Sequence, residues 1–157
     1  MEKGDQVKIP APGTNQKLHV FGAWNYAKDR IHYQTHHKKT RYEFLTFLKH
    51  LIERRHGGRY LVLVLDNASY HHARIVQEYL ETVENRVFVF WLPVYAPELN
   101  LIERVWKHLK QVGLNNFYFE TLDKLEQAVH QVFDAVNLKK MTLQITFEKH
   151  KELCTVT

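Results

Sequence analysis

A single cysteine, Cys154, has no partner for an internal disulfide, so the fold cannot rest on cross-links, and a reducing, cytoplasmic setting is expected. No apolar run approaches the roughly eighteen residues that span a bilayer, which excludes a membrane-spanning helix. The opening MEKGDQVKIPAPG lacks the apolar stretch of a signal peptide. The six glycines nowhere form a phosphate-cradling loop, and no Ser-His-Asp order suggests a hydrolase triad. Zinc is disfavoured as well. There is no cysteine pair, and the adjacent pairs His36-His37 and His71-His72 are spaced so that both members rarely face one centre.

What is present is ordinary for a soluble domain: 157 residues, 45% hydrophobic and 25% charged. The net charge of +5 is unevenly spread. Residues 1–60 hold 12 Lys/Arg against 5 Asp/Glu, whereas residues 61–157 hold 10 against 12. A basic front and a mildly acidic back suit a protein that grips phosphate with one region and metal with another, although many soluble domains are as basic without such a role.

Residues 1–16, with Pro10, Pro12 and Gly13, read as an irregular lead-in. KLHVFGAWNY (17–26) and RIHYQT (30–35) flank a Lys28-Asp29 turn as a β-hairpin. Thr40-Arg-Tyr-Glu43 is a capping box, and Phe44, Leu45, Leu48, Leu51 and Ile52 follow at helical spacing until Gly57-Gly58. YLVLVL (60–65) is a continuous apolar run, as expected of a strand covered on both faces, and it stops at Asp66. A helix is expected over His72–Val83, and a second buried-type strand over VFVFW (87–91). The proline-bearing loop LPVYAPE then leads to a helix from about Asn100 to Val112. A last helix starts near Thr121 with Leu122, Leu125, Val129, Val132, Phe133 and Val136 on one face, and MTLQITF (141–147) could form an edge strand. The order is mixed α/β. In open sheets of this kind, ligand sites gather at the carboxyl ends of strands, which is where Asp66 falls.

An acid at a strand end and a second, Glu103, in a helix after the next strand could converge on Mg²⁺, which prefers carboxylate and water oxygens. Such sites promote attack on phosphodiesters. Each acid has a plainer explanation. Asp66 could cap the following helix. Asn100-Leu-Ile-Glu103 also reads as a capping box, and Glu103 could pair with Lys107 one turn on.

The segments LVLDNASYHHA and LPVYAPELNLIERVWKHLK resemble the second-acid and third-acid segments of DDE-type transposases of bacterial insertion sequences, in the mariner-like superfamily. The likeness is close from Leu61 to Lys110 and weaker from about Lys3 to Asn137. It implies a ribonuclease-H-like mixed sheet flanked by helices over residues 1–137, with 138–157 as a tail. It implies Asp66 and Glu103 as catalytic acids on a two-metal Mg²⁺ or Mn²⁺ site, with Asn67, His71 and Asn100 supporting them. Lys107 and Lys110 would face DNA, and Trp106, on the stripe Ile102, Val105, Trp106, Leu109, would lie in the core. The implied partners are transposon-end DNA, a TA-type target, and a further copy of the chain or a complementing upstream polypeptide.

The family's first catalytic Asp lies on an opening, central strand that would precede the segment matched by Lys3–Ile9. Asp5, in a polar turn, and Asp29, at a hairpin tip, are poor replacements. Without that strand two sheet edges would stand unpaired, and Pro10 argues against Gln6–Ala11 filling the slot. The expectation is therefore a catalytic domain incomplete at its N-terminus, from a split gene, a decayed remnant or a trimmed chain. The alternative is an inactive nucleic-acid-binding module of the same fold.

Overall fold

The computed structural model describes residues 16–55, 59–115 and 117–138. The elements run β1 (His19–Asn25), β2 (Arg30–His36), α1 (Arg41–Lys49), β3 (Leu61–Leu65), α2 (Arg74–Thr82), β4 (Val87–Trp91), α3 (Ile102–Leu109) and α4 (Leu122–Asn137). The hairpin forms as expected: β1 and β2 pair antiparallel from His19 opposite His36 to Asn25 opposite Arg30. Asp29 closes its turn at φ 48, a left-handed conformation that Asp tolerates better than bulkier residues. The capping box at Thr40 and Glu43 starts α1, and Thr121 caps α4. The expected stop at Gly57-Gly58, the strand at MTLQITF and the filler at Gln6–Ala11 lie outside the described residues.

Two helices depart from their expected bounds. α2 starts at Arg74 rather than His72, because His72 lies in the preceding loop, 3.1 Å from Asn67 Oδ1 and stacked on Trp91. The helix expected over 100–112 divides into a 3₁₀ turn at Pro97–Leu99, α3, and a π-helical stretch at Lys110–Leu114. α1 likewise runs into a π-helical stretch at His50–Arg55.

The strands make two two-stranded sheets among the described residues, β1–β2 antiparallel and β3–β4 parallel, rather than one mixed sheet. Two apolar clusters correspond to them. α1 and α2 cover one face of β3–β4, gathering Phe44, Leu48, Ile52, Leu63, Val76 and Val87 around Phe21. α3 and α4 pack on β1–β2 instead, gathering Val105, Leu109, Val129, Phe133 and Val136 around Ile31. Among the described residues no helix covers the second face of β3–β4. Val62, Val64, Phe88 and Phe90 are 51–65% exposed, which corrects the expectation that both strands are covered on two sides.

α4 is locked across β2 by its side chains. Asn137 accepts from the Ile31 amide at 2.8 Å and donates to the Ile31 carbonyl at 2.9 Å, Tyr33 stacks on Phe133, and Thr35 donates to Glu126. α3 sits against β1 through Trp106. A Cβ at Gly22 would lie 2.6 Å from the Trp106 ring, so the indole can pack there only because the strand has glycine at that point. Trp106 is partly buried and packs against this core cluster.

Candidate functional site

Asp66 is the first residue beyond β3, and the strand ends are tied. The Leu92 amide donates to Leu65 O at 2.8 Å, and Asn67 Nδ2 donates to Leu92 O at 2.7 Å. The loops after β3 and β4 therefore leave side by side, which brings Asn100 to Asp66.

The Asp66 carboxylate is held at both oxygens. Oδ1 accepts from the Ala68 amide at 3.1 Å and lies 2.9 Å from His71 Nδ1, while Oδ2 accepts from Asn100 Nδ2 at 3.2 Å. A turn closed by the His71 amide on Ala68 O swings His71 back beneath Asp66. The ring is buried between Phe44 and Tyr70, at centroid distances of 4.4 and 4.5 Å, and its Nδ1 also lies 2.9 Å from the Asp66 carbonyl oxygen. The His71 hydrogen bond is the first cause holding the Asp66 carboxyl below its usual range. Partial burial opposes it, and the Ala68 amide and the charges of His71 and Lys39 assist. A carboxylate offers about four acceptor positions, so one remains, and the side chain is 42% exposed. Asp66 can bind a cation without breaking what holds it.

Glu103 lies in the first turn of α3, its amide donating to Asn100 O at 3.1 Å. The plainer readings of this residue fail. Asn100 turns its side chain to Asp66, Leu101 takes the cap position with no side-chain bond, and no Glu103–Lys107 pair forms. The Glu103 carboxylate is exposed and has no hydrogen bond or ion pair among the described residues. Asp66 and Glu103 act together on one group: the Tyr70 phenol is pushed up to about 12, by burial first and then by these two charges. Hard oxygen ligands, one fixed and one unencumbered, suit Mg²⁺ or Mn²⁺. Among the described residues no group of three or more His, Cys, Asp or Glu is placed to hold a metal, so the acids form at most a pair.

Asn67, expected to orient Asp66, instead binds Leu92 O and faces His72; Asn100 makes the contact to Asp66. Lys107 is exposed one turn beyond Glu103, and Lys110 is half-buried at the start of the π-helical stretch. Sequence reasoning missed Lys39 and Tyr70. The Lys39 ammonium stands 5.5 Å from the centre of the Tyr70 ring and acts on Asp66. The available signal was the basic run His36-His37-Lys38-Lys39 directly before the capping box.

Comparison with known proteins gives the family. The family model described as DDE superfamily endonuclease matches residues 1–126. The chain is 27% identical over 136 residues to an insertion element IS630 39 kDa protein of Shigella sonnei, covering 86% of this chain and 39% of that protein. It is similar in structure to the catalytic domain of Mos1 mariner transposase, with a TM-score of 0.61 at 18% identity, covering 76% of this chain and 63% of that one. A Mos1 mariner paired-end complex with Mn gives a TM-score of 0.62 at 17% identity, covering 86% of this chain and 42% of that one. At such identities the structural likeness concerns the fold. The chain spans well under half the length of the Shigella relative.

Proposed function

The chain belongs to the DDE superfamily of endonucleases, and we propose that it is the catalytic domain of an insertion-element transposase that cuts and rejoins DNA at the element's ends. The observation that carries this reading is the bond from Asn100 to Asp66, which ties the segment bearing Glu103 to the end of β3.

Asp66 and Glu103 would hold Mg²⁺ or Mn²⁺ as part of a two-metal site. A divalent metal held there would supply Lewis-acid activation of a hydroxyl and charge neutralisation at a phosphate. His71 keeps Asp66 ionised and in place, and Asn100 fixes its second oxygen. Glu103, unencumbered at the start of α3, would supply the second carboxylate. Lys107 and Lys110 would meet DNA phosphates. A third acid would have to come from outside the described residues. Partners on this reading are transposon ends, a TA-type target and a further copy of the chain.

The test is plasmid nicking with Mg²⁺ or Mn²⁺, by the chain alone and with the polypeptide encoded just upstream. Little cutting alone and restored cutting on complementation are expected, with Asp66→Ala or Glu103→Ala then lowering the rate by about 10²–10³ or more. The lack of a three-acid group among the described residues favours a second reading, an inactive nucleic-acid-binding remnant. No cutting after complementation, with DNA binding retained, would establish that one.

A further inference from the structure

Among the described residues two that are not glycine hold a positive φ, Asp29 at 48 and Tyr95 at 65. Asp29 has a local reason. Its amide closes the hairpin turn on Tyr26 O, and its carboxylate accepts from the Trp24 indole at 3.1 Å. Tyr95 has no such reason. It is 92% exposed, and among the described residues its side chain makes no hydrogen bond or ring contact. A bulky residue in the left-handed region is held against its own preference, and glycine or asparagine would make the same turn with less strain. Strain of this kind gathers at binding sites, where the conformation serves a ligand and not the fold.

The turn at Val94–Tyr95 belongs to a loop that is fastened at both ends beside Asp66. At one end the Leu92 amide donates to Leu65 O at 2.8 Å, and at the other Asn100 Nδ2 donates to Asp66 Oδ2 at 3.2 Å. Between them the Leu99 amide closes on Ala96 O at 3.1 Å. Tyr95 stands three positions beyond Leu92, and each residue spans at most about 3.6 Å, so its Cα lies within about 11 Å of Leu92. Successive nucleotides of one strand are about 3.4 Å apart, which makes that reach about three nucleotides. Val94 beside it is 65% exposed and adds no charge. An uncharged ring presented to water on a fixed turn suits a flat π-surface as its partner. A paired duplex hides those surfaces within its own stack, whereas an unpaired base offers one.

We propose that Tyr95 is a positioning residue that stacks on an unpaired base within about three nucleotides of the phosphate at Asp66 and Glu103. The assignment rests on the nuclease reading and adds to it a property of the substrate, a strand locally unpaired beside the acids. Every base has a π-face, so the stack tolerates sequence. The turn holds the ring already extended, so little ordering is needed on binding.

The experiment compares two 30-base-pair duplexes, one fully paired and one with three mismatched pairs at its centre. Binding by the full chain is read by fluorescence anisotropy, alongside Mn²⁺ binding without DNA. The variants are Tyr95→Ala, Tyr95→Gly and Tyr95→Phe. The control is Tyr60→Ala, which removes a ring 89% exposed at the opposite end of β3. The parent should prefer the mismatched duplex by at least about fivefold. Tyr95→Ala and Tyr95→Gly should lose that preference, while Tyr95→Phe and Tyr60→Ala keep it. Tyr95→Gly should also be no less stable than the parent in urea, which separates a lost stack from a folding defect. No preference in the parent, or an undiminished one in Tyr95→Ala, would overturn the stack; with Mn²⁺ still bound through Asp66 and Glu103, the nuclease reading would stand. An equal loss in Tyr60→Ala would overturn it too, as would a less stable Tyr95→Gly, since the ring would then be holding the loop. Failure of the parent to bind either duplex would overturn the stack, and loss of Mn²⁺ binding as well would remove the nuclease reading with it.

Discussion

Replacing Gly22 with alanine probes the contact that seats the Glu103 helix on the first hairpin. The new methyl would lie 2.6 Å from one Trp106 ring carbon and 3.1 Å from the next, against roughly 3.5–4.0 Å for a comfortable carbon contact. The indole must then retreat by about an ångström. The same ring also meets Phe133 edge-on, at a centroid distance of 5.9 Å, which limits how it can move. Overpacking of this kind costs about 1–3 kcal/mol, while alanine recovers about 0.4–1 kcal/mol by restricting the unfolded chain. The expected net loss is about 1–2 kcal/mol, read as a lower urea midpoint at unchanged m-value. Trp106→Phe, which frees space at the same spot, should cost less in the Gly22→Ala background than alone, giving a coupling of about 0.5 kcal/mol or more. A neutral or stabilised Gly22→Ala protein, or additive effects in the pair, would refute the packing described for α3.

Thr40→Ala should cost about 1 kcal/mol of stability by removing the cap on the Tyr42 amide, measured by urea unfolding at neutral pH. The Glu43 carboxyl is held below its ordinary value of 4.5 first by the Thr40 hydroxyl, so its contribution is present above that value and lost as pH falls through the lower folded one. The difference between parent and variant should accordingly shrink on acidification, and a constant difference would contradict the capping box. Phe88→Thr on the open face of β3–β4 should change stability by no more than about 0.5 kcal/mol, whereas a loss of several kcal/mol would show that the face is covered. Tyr95, 92% exposed at φ 65, should tolerate glycine with a gain of about 0.5–1 kcal/mol, and a clear loss would point to a contact that Tyr95 makes.

Local patterns were legible where one short-range rule decides the outcome. The Lys28-Asp29 hairpin turn, the Thr40–Glu43 box and the Val129, Phe133, Val136 stripe of α4 are all set by residues within a few positions of each other. The runs YLVLVL and VFVFW misled because an unbroken apolar run signals burial without saying what lies on each face, and here α3 and α4 settle on the other sheet. At the site, the motif singled out Asp66 and Glu103 as candidates, and in the structure His71 and Asn100 both contact Asp66. That Asn67 turns to Leu92 O while Asn100 meets Asp66 depends on how two loops lie side by side, which no local pattern encodes. Lys39 stands over the Tyr70 ring only because the β2–α1 loop folds there, a contact spanning some thirty residues of sequence.

The central claim is that Asp66 and Glu103 share divalent metal, and the direct measurement is Mn²⁺ binding followed by electron paramagnetic resonance. Titrations would compare the parent chain with Asp66→Asn, Glu103→Gln and the control Glu84→Gln, each with and without the upstream polypeptide. Both site variants should weaken Mn²⁺ binding by at least about tenfold, while the control leaves it unchanged and complementation tightens it in the parent alone. Equal Mn²⁺ affinity in the parent and both site variants would contradict the account.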